Sequence, residues 1–329
     1  MRYLSLLFLV SISTFCIGQK RPTAATTPPV IARPQLLKSD FQKITKLEDS
    51  LQLLAEVMMY DTSKLDNRKV ACYAFIPKLI SALKLDNSFY YPFDSLSTIS
   101  KVYPPDSSFR ILTWQLHYPK GRFRYFGVIQ MRAQKMKIFP LKDLRDTLQF
   151  HTQSALTNDN WYGQLYYRII EKKVNKKTFY TLFGFEAPDF LTRRKVIDIL
   201  SFDEEGKPKF GAPLFYFKYD STQLKLADTL SRFFIEYKWS ASPTLNYDNQ
   251  LEMIVFDHVA PPDKRAKGVY FMYVQDGTYE GFKWQSNHWQ WVEKVFTFAI
   301  NEDDNPPIPV PVFGTPQKQP ILPDKMEKQ

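Results

Sequence analysis

The sequence predicts an α+β fold, mainly β, in which an N-terminal helical pair precedes a large antiparallel β-meander. Apolar residues recur every three or four positions over residues 40–85, and they alternate every second position after residue 91. Short turns separate the later apolar runs, and strands joined by such turns must be antiparallel. The meander could close as a barrel or pack as a sandwich, and the sequence leaves both open.

The first predicted helix ends near Tyr60, and its apolar residues fall on one stripe. The stripe contains Phe41, Ile44, Leu47, Leu51, Leu54 and Met58. A second helix is predicted over residues 65–85. Pro77 lies inside it and is expected to bend or divide it, because proline removes an amide donor and crowds the preceding turn.

The predicted strands are separated by residues with turn chemistry. These are Lys120-Gly121, Asn175-Lys176, Glu205-Gly206, Asp276-Gly277 and Ser286-Asn287. Each pair therefore predicts a hairpin turn.

Composition divides the chain into five segments. Residues 1–18 are predicted to be a signal peptide, because Arg2 precedes a short apolar run and small residues precede Gln19. Residues 19–37 form a Pro/Thr-rich lead-in, 38–91 the helical segment, 92–304 the antiparallel β domain and 305–329 a Pro-rich tail. We therefore expect an exported protein that is periplasmic, associated with the outer membrane or extracellular.

The mature chain is expected to have no transmembrane segment, because no second apolar run approaches about 20 residues. Cleavage would leave Cys72 as the single thiol, so no internal disulfide is expected. The net charge of +10 favours solubility and attraction to anionic envelope polymers. Basic residues are scattered, which argues against a nucleic-acid partner. The oligomeric state is left open.

Known catalytic motifs are missing from the sequence. It contains no Walker loop, dinucleotide-binding glycine fingerprint, nucleophile elbow or paired-histidine zinc helix. The sequence therefore predicts no cofactor and no metal site.

Four residues are catalytic candidates. Asp198 and Glu186 would resemble the carboxylate pair of a glycosidase if they faced one another across neighbouring strands, although a structural ion pair or an exposed strand face is the ordinary alternative. Asp257 and His258 follow an apolar strand and place an acid beside a base. Adjacent strand residues point to opposite faces, which argues against a direct pair.

An aromatic cluster near the C-terminal end is the candidate ligand-binding site. Trp284, Trp289 and Trp291 surround a predicted hairpin, and Asn287 lies in its turn. Flat rings beside amides suit the apolar faces of sugars. Alternatively, Trp289 and Trp291 fill the core of the sheet.

Four short runs carry a resemblance to known proteins. They are Trp161-Tyr162-Gly163, Leu191-Thr192-Arg193-Arg194-Lys195-Val196-Ile197-Asp198, Phe210-Gly211-Ala212-Pro213 and Ile254-Val255-Phe256-Asp257-His258. Together they resemble a group of exported, functionally uncharacterised proteins of the Bacteroidota, best over residues 161–296. The resemblance implies an envelope or secreted setting and supplies no catalytic residue.

These patterns favour a non-enzymatic, exported β-rich protein that binds another cell-envelope component, either a protein or a glycan. One alternative is a glycan-binding module that uses the hairpin between Trp284 and Trp291. A second alternative is a carboxylate-dependent hydrolase.

Overall fold

The computed structural model describes residues 36–61, 63–148, 155–218 and 229–296. The predicted signal peptide, most of the lead-in and the Pro-rich tail lie outside the described residues. The described chain begins with helices α1 (Lys38–Tyr60) and α2 (Leu65–Leu83), which confirms the predicted helical pair. Helix α2 runs through Pro77 without a break, so the predicted division does not occur.

The remaining described elements are mainly strands. They are β1 (Ser100–Val102), β2 (Phe109–Tyr118), β3 (Arg122–Met131), β4 (Ile138–Lys142), β5 (Leu156–Thr157), β6 (Leu165–Val174), β7 (Lys177–Glu186), β8 (Thr192–Phe202), β9 (Pro208–Phe210), β10 (Phe215–Tyr216), β11 (Thr229–Leu230), β12 (Arg232–Lys238), β13 (Leu245–Asp248), β14 (Met253–Ala260), β15 (Val274–Gln285) and β16 (His288–Val292).

These strands form three sheets. The first has the order β1-β2-β3-β4, the second β5-β9-β8-β7-β6 and the third β11-β10-β16-β15-β14-β13. Strand β12 pairs with the first part of β8, on the edge that β9 occupies farther along. All named strand pairs are antiparallel except β10 with β16. Within the described residues no sheet closes into a barrel, so the barrel alternative is not realised there.

Three apolar cores separate four layers. The helices pack on one face of the first sheet through Leu112, Trp114 and Leu116 of β2. The opposite face of that sheet packs on the second sheet, and the second sheet packs on the third. Because β2 and β8 are covered on both faces, most of their residues are buried.

Arg110 fastens the loop after α2 to the first sheet. Its side chain is fully buried, and its guanidinium donates to the carbonyls of Ser88 (3.0 Å) and Tyr91 (2.6 Å). It also donates to Gln130 Oε1 at 2.8 Å. Burial lowers the pKa of Arg110, and these oxygens satisfy its donors. The helical pair is therefore held against the sheet by polar as well as apolar contacts.

Two predicted hairpin turns have the backbone that their sequences favour. Asn175 and Lys176 have φ of 48° and 69°, and Ser286 and Asn287 have φ of 49° and 65°, as tight two-residue hairpins require. The turn predicted at Asp276-Gly277 is wrong, because β15 continues through these residues. The pairing of β14 with β15 instead shifts register nearby, between Asp257 and Val259.

Candidate functional site

Asp198 lies buried on the face of β8 that packs toward the first sheet. Its side chain is 1% exposed, and Arg232 on β12 donates from Nε to Oδ2 at 3.3 Å. The backbone N–H of Ile199 donates to Oδ1 at 2.8 Å. Burial raises the pKa of Asp198, against the opposing effect of Arg232. This carboxyl group is therefore held in a closed ion pair.

Glu186 belongs to a second buried group of charges on the same face. Arg194 Nη1 lies 2.5 Å from one carboxylate oxygen, and Arg145 Nη1 lies 3.2 Å from the other. Arg194 also pairs with Glu236 at 2.6 Å. Burial alone would lower the pKa of Arg194, but Glu186 and Glu236 outweigh it and raise that pKa. Two arginines and two glutamates thus balance one another.

The structure does not bring Asp198 and Glu186 together. In the pairing of β7 with β8, Leu182 lies opposite Asp198, whereas Glu186 lies opposite Arg194. An offset of four residues corresponds to about 13 Å along a strand. Glycosidase carboxylates lie about 5–9.5 Å apart with a sugar between them. The arrangement required by the hydrolase hypothesis is therefore not present.

Asp257 and His258 have separate partners. Asp257 Oδ2 accepts hydrogen bonds from the backbone N–H of Thr244 at 2.5 Å and from its hydroxyl at 2.7 Å. His258 Nδ1 lies 2.5 Å from Asp276 Oδ2. Burial would raise the pKa of Asp276, but hydrogen bonds from Thr278 and His258 lower it overall. The acid and the base are therefore not directed at a common point.

The tryptophan cluster faces the second sheet. Trp289 has no exposed surface, and its indole N–H donates to Thr181 Oγ1 at 3.1 Å. Trp284 and Trp291 pack against the same core and are partly exposed, while Asn287 is exposed in the turn. Trp289 therefore fills the core, as the alternative to sugar binding expected.

Lys172 of β6 covers this cluster. Its ammonium lies 5.4 Å from the ring centre of Trp289, 5.8 Å from that of Trp284 and 5.7 Å from that of Tyr247. Trp284 and Trp289 meet edge to face with their centres 5.0 Å apart. Burial lowers the pKa of Lys172, and Glu252 opposes this shift. The three rings form an aromatic cage around a cation, and we use that name for them below.

The outward face of the helical pair is a second candidate surface. Leu53, Val57 and Tyr60 of α1 are exposed, and so are Val70 and Tyr73 of α2. The first three are spaced by four and three residues, and the last two by three, so each set lies on one side of its helix. Each helix therefore has an apolar stripe that faces solvent in addition to its buried stripe.

Sequence reasoning missed Lys172, Tyr247 and the outward helical face. The cage joins β6 to a hairpin far along the chain, and no local pattern encodes that contact. The outward face did carry a signal, because Leu53 and Val57 lie off the predicted buried stripe.

No group of three or more metal-ligating side chains occurs in the part of the chain that the structure describes. Neither described helix is both long and apolar enough to cross a membrane. Comparison with family models, curated proteins and solved structures finds no match to the chain.

Proposed function

We propose that the chain is an exported, non-enzymatic protein that binds another component of the cell envelope through the outward face of its helical pair. The observation that carries the proposal is the exposure of large apolar side chains there. Leu53 is 65% exposed and Val70 is 69% exposed, and Val57, Tyr60 and Tyr73 are exposed beside them along the two helices. Clustered exposed apolar side chains of this kind are typical of interaction surfaces.

The state of the candidate catalytic groups supports a non-enzymatic role. Asp198 and Glu186 are paired with arginines, and Asp257 accepts hydrogen bonds from Thr244. A general acid or base must reach the proton that it transfers. Carboxylates whose oxygens are taken up by these ion pairs and hydrogen bonds are suited to holding strands together rather than to transferring protons.

A protein is the partner that fits this face best. Leucine and valine side chains gain free energy by leaving water but offer no hydrogen bonds to sugar hydroxyls. Tyr60 and Tyr73 add aromatic area with a polar end, as is common at protein interfaces. The envelope setting is proposed from the predicted signal peptide and from the resemblance to exported proteins of the Bacteroidota.

A pull-down with matched variants tests this function. Residues 19–329 serve as bait for an envelope extract of the native organism, washed at low and then high salt. We expect one component to survive the high-salt wash on the wild-type chain, because an apolar interface is not screened. The double variant Leu53→Ser, Val70→Ser should lose it.

Leu251→Ser is the control, since Leu251 is an exposed leucine outside the helical pair. It should retain the component. Release of everything from the wild-type chain at high salt, or retention by the double variant, would count against the proposal.

A further inference from the structure

The ammonium of Lys172 lies in the aromatic cage. Tyr247, Trp284 and Trp289 approach it from three elements, β13, β15 and β16. Tyr247 and Trp289 are nearly perpendicular, with an interplanar angle of 75°. Among the described residues, Lys172 has no hydrogen-bond or ion-pair partner. Its ammonium is held there by the faces of aromatic rings.

A lysine ammonium is not the cation best suited to such a cage. It carries three N–H donors and is strongly hydrated, so it loses hydrogen bonds to water on entering. A quaternary ammonium has no N–H donor to satisfy and presents methyl groups to the rings. Aromatic cages are the usual protein sites for such groups.

We propose that the aromatic cage is a binding site for the quaternary ammonium group of a small zwitterion. The ammonium of Lys172 occupies the cage when no ligand is bound, and the ligand displaces it. Lys172, Trp284 and Tyr247 are each partly exposed, so the cage opens to solvent. The lysine side chain is a flexible stem, and rotation of its bonds removes the ammonium without moving the backbone.

Charges of both signs surround the cage, which suits a zwitterion. The displaced Lys172 stays beside the mouth, and the guanidinium of Arg168 lies 5.4 Å from the ring centre of Tyr247. Both repel an incoming cation, and the carboxylates of Glu252 and Asp248 oppose that repulsion in part. In a zwitterionic ligand, an acidic group a few atoms from the ligand's own ammonium pairs with the displaced Lys172 and offsets that repulsion.

Titrations with phosphocholine and with tetramethylammonium test the site. The NMR signals of the indole N–H groups of Trp284 and Trp289 report the binding. The wild-type chain should bind phosphocholine at least tenfold more tightly than tetramethylammonium. Lys172→Ala empties the cage and removes a repelling charge. We expect it to bind tetramethylammonium at least tenfold more tightly than the wild type.

Trp284→Ala should abolish saturable binding of both probes. If Trp284→Ala does not fold, Tyr247→Ala replaces it in the same test. Trp239→Ala is the matched control, because Trp239 is exposed and takes no part in the cage. It should bind as the wild type does. The absence of saturable binding to Lys172→Ala, or unchanged binding to Trp284→Ala and Tyr247→Ala, overturns the site. Equal affinity of the wild type for the two probes overturns the requirement for an acidic group.

Discussion

A group of buried charged residues ties the strands of the second sheet together. Arg194 joins Glu186 of β7 to Glu236 of β12, and Arg232 joins β12 to Asp198. Each of these buried charges has a counter-charge, which offsets the cost of taking it out of water. The sequence left an ion pair at Asp198 open beside an exposed strand face and a glycosidase-like pair. It could not identify Arg232 as the partner, because that choice depends on a pairing between distant strands.

Removing Arg194 tests the structural role of these charges. Arg194→Met should lower the free energy of unfolding by about 3–5 kcal/mol, because Glu236 then loses its arginine and Glu186 keeps only Arg145. Lys142→Met is the control, since Lys142 pairs with Asp159 at 2.7 Å where both side chains are largely exposed. It should cost less than about 1 kcal/mol. Urea unfolding measures both, and equal losses would contradict the structural role.

Cys72 makes stability depend on pH at the alkaline end. Burial raises the pKa of its thiol from 9.0 to about 11. A raised pKa means that the folded chain holds this proton more tightly than the unfolded chain. The contribution is therefore complete below pH 9.0 and is lost as the pH rises to about 11. The full loss corresponds to about 3 kcal/mol.

Cys72→Ala removes this dependence. Urea unfolding between pH 8 and 11 should show a shallower fall for the variant, so that the gap to the wild type narrows as the pH rises. If the free energies of unfolding of the two proteins fell in parallel with pH, the pKa of the Cys72 thiol would be the same in the folded and unfolded chains, which would contradict this prediction.

At the scale of elements, local patterns predicted helices and hairpins well. Turns at Asn175-Lys176 and Ser286-Asn287 follow from residues that tolerate positive φ. The turn predicted at Asp276-Gly277 has similar chemistry but lies within β15, at the shift of register in its pairing with β14, where Gly277 has φ of 89°. Pro77 is likewise accommodated in α2, where its exposed position avoids loss of core packing.

The turn between β6 and β7 offers a test at this scale. Lys176 has φ of 69°, a conformation that is strained for a residue with a β-carbon and natural for glycine. Lys176→Gly should therefore raise the free energy of unfolding by about 1 kcal/mol. Lys173→Gly, in the adjoining strand, should lower it by about 0.5–1 kcal/mol. Thermal unfolding compares the two, and destabilisation by both would contradict the assigned turn.

At the scale of the whole molecule, the sequence predicted the fold class but not the stacking of three sheets. A strand covered on both faces, such as β2 or β8, has no polar side to mark its position in the stack. The pairing of β12 with β8 also crosses intervening elements. The tryptophan cluster was predictable from spacing, whereas its cover by Lys172 was not, because β6 lies far away in sequence.

The proposed export predicts a mature protein with a defined first residue. Removal of residues 1–18 in the native organism should leave Gln19 as the first residue. N-terminal sequencing of the protein purified from the envelope fraction measures this directly. An intact N-terminus, or recovery from the cytoplasm alone, would contradict export.

Site-specific photocrosslinking in the native organism tests the central claim most directly. A photoreactive amino acid is placed in turn at Leu53, Val57 and Val70 on the outward helical face, and at Leu251 as the control. The account predicts that the three helical positions crosslink to the same envelope protein and that position 251 does not. Crosslinks confined to position 251, or no crosslink from any helical position, would contradict binding through this face.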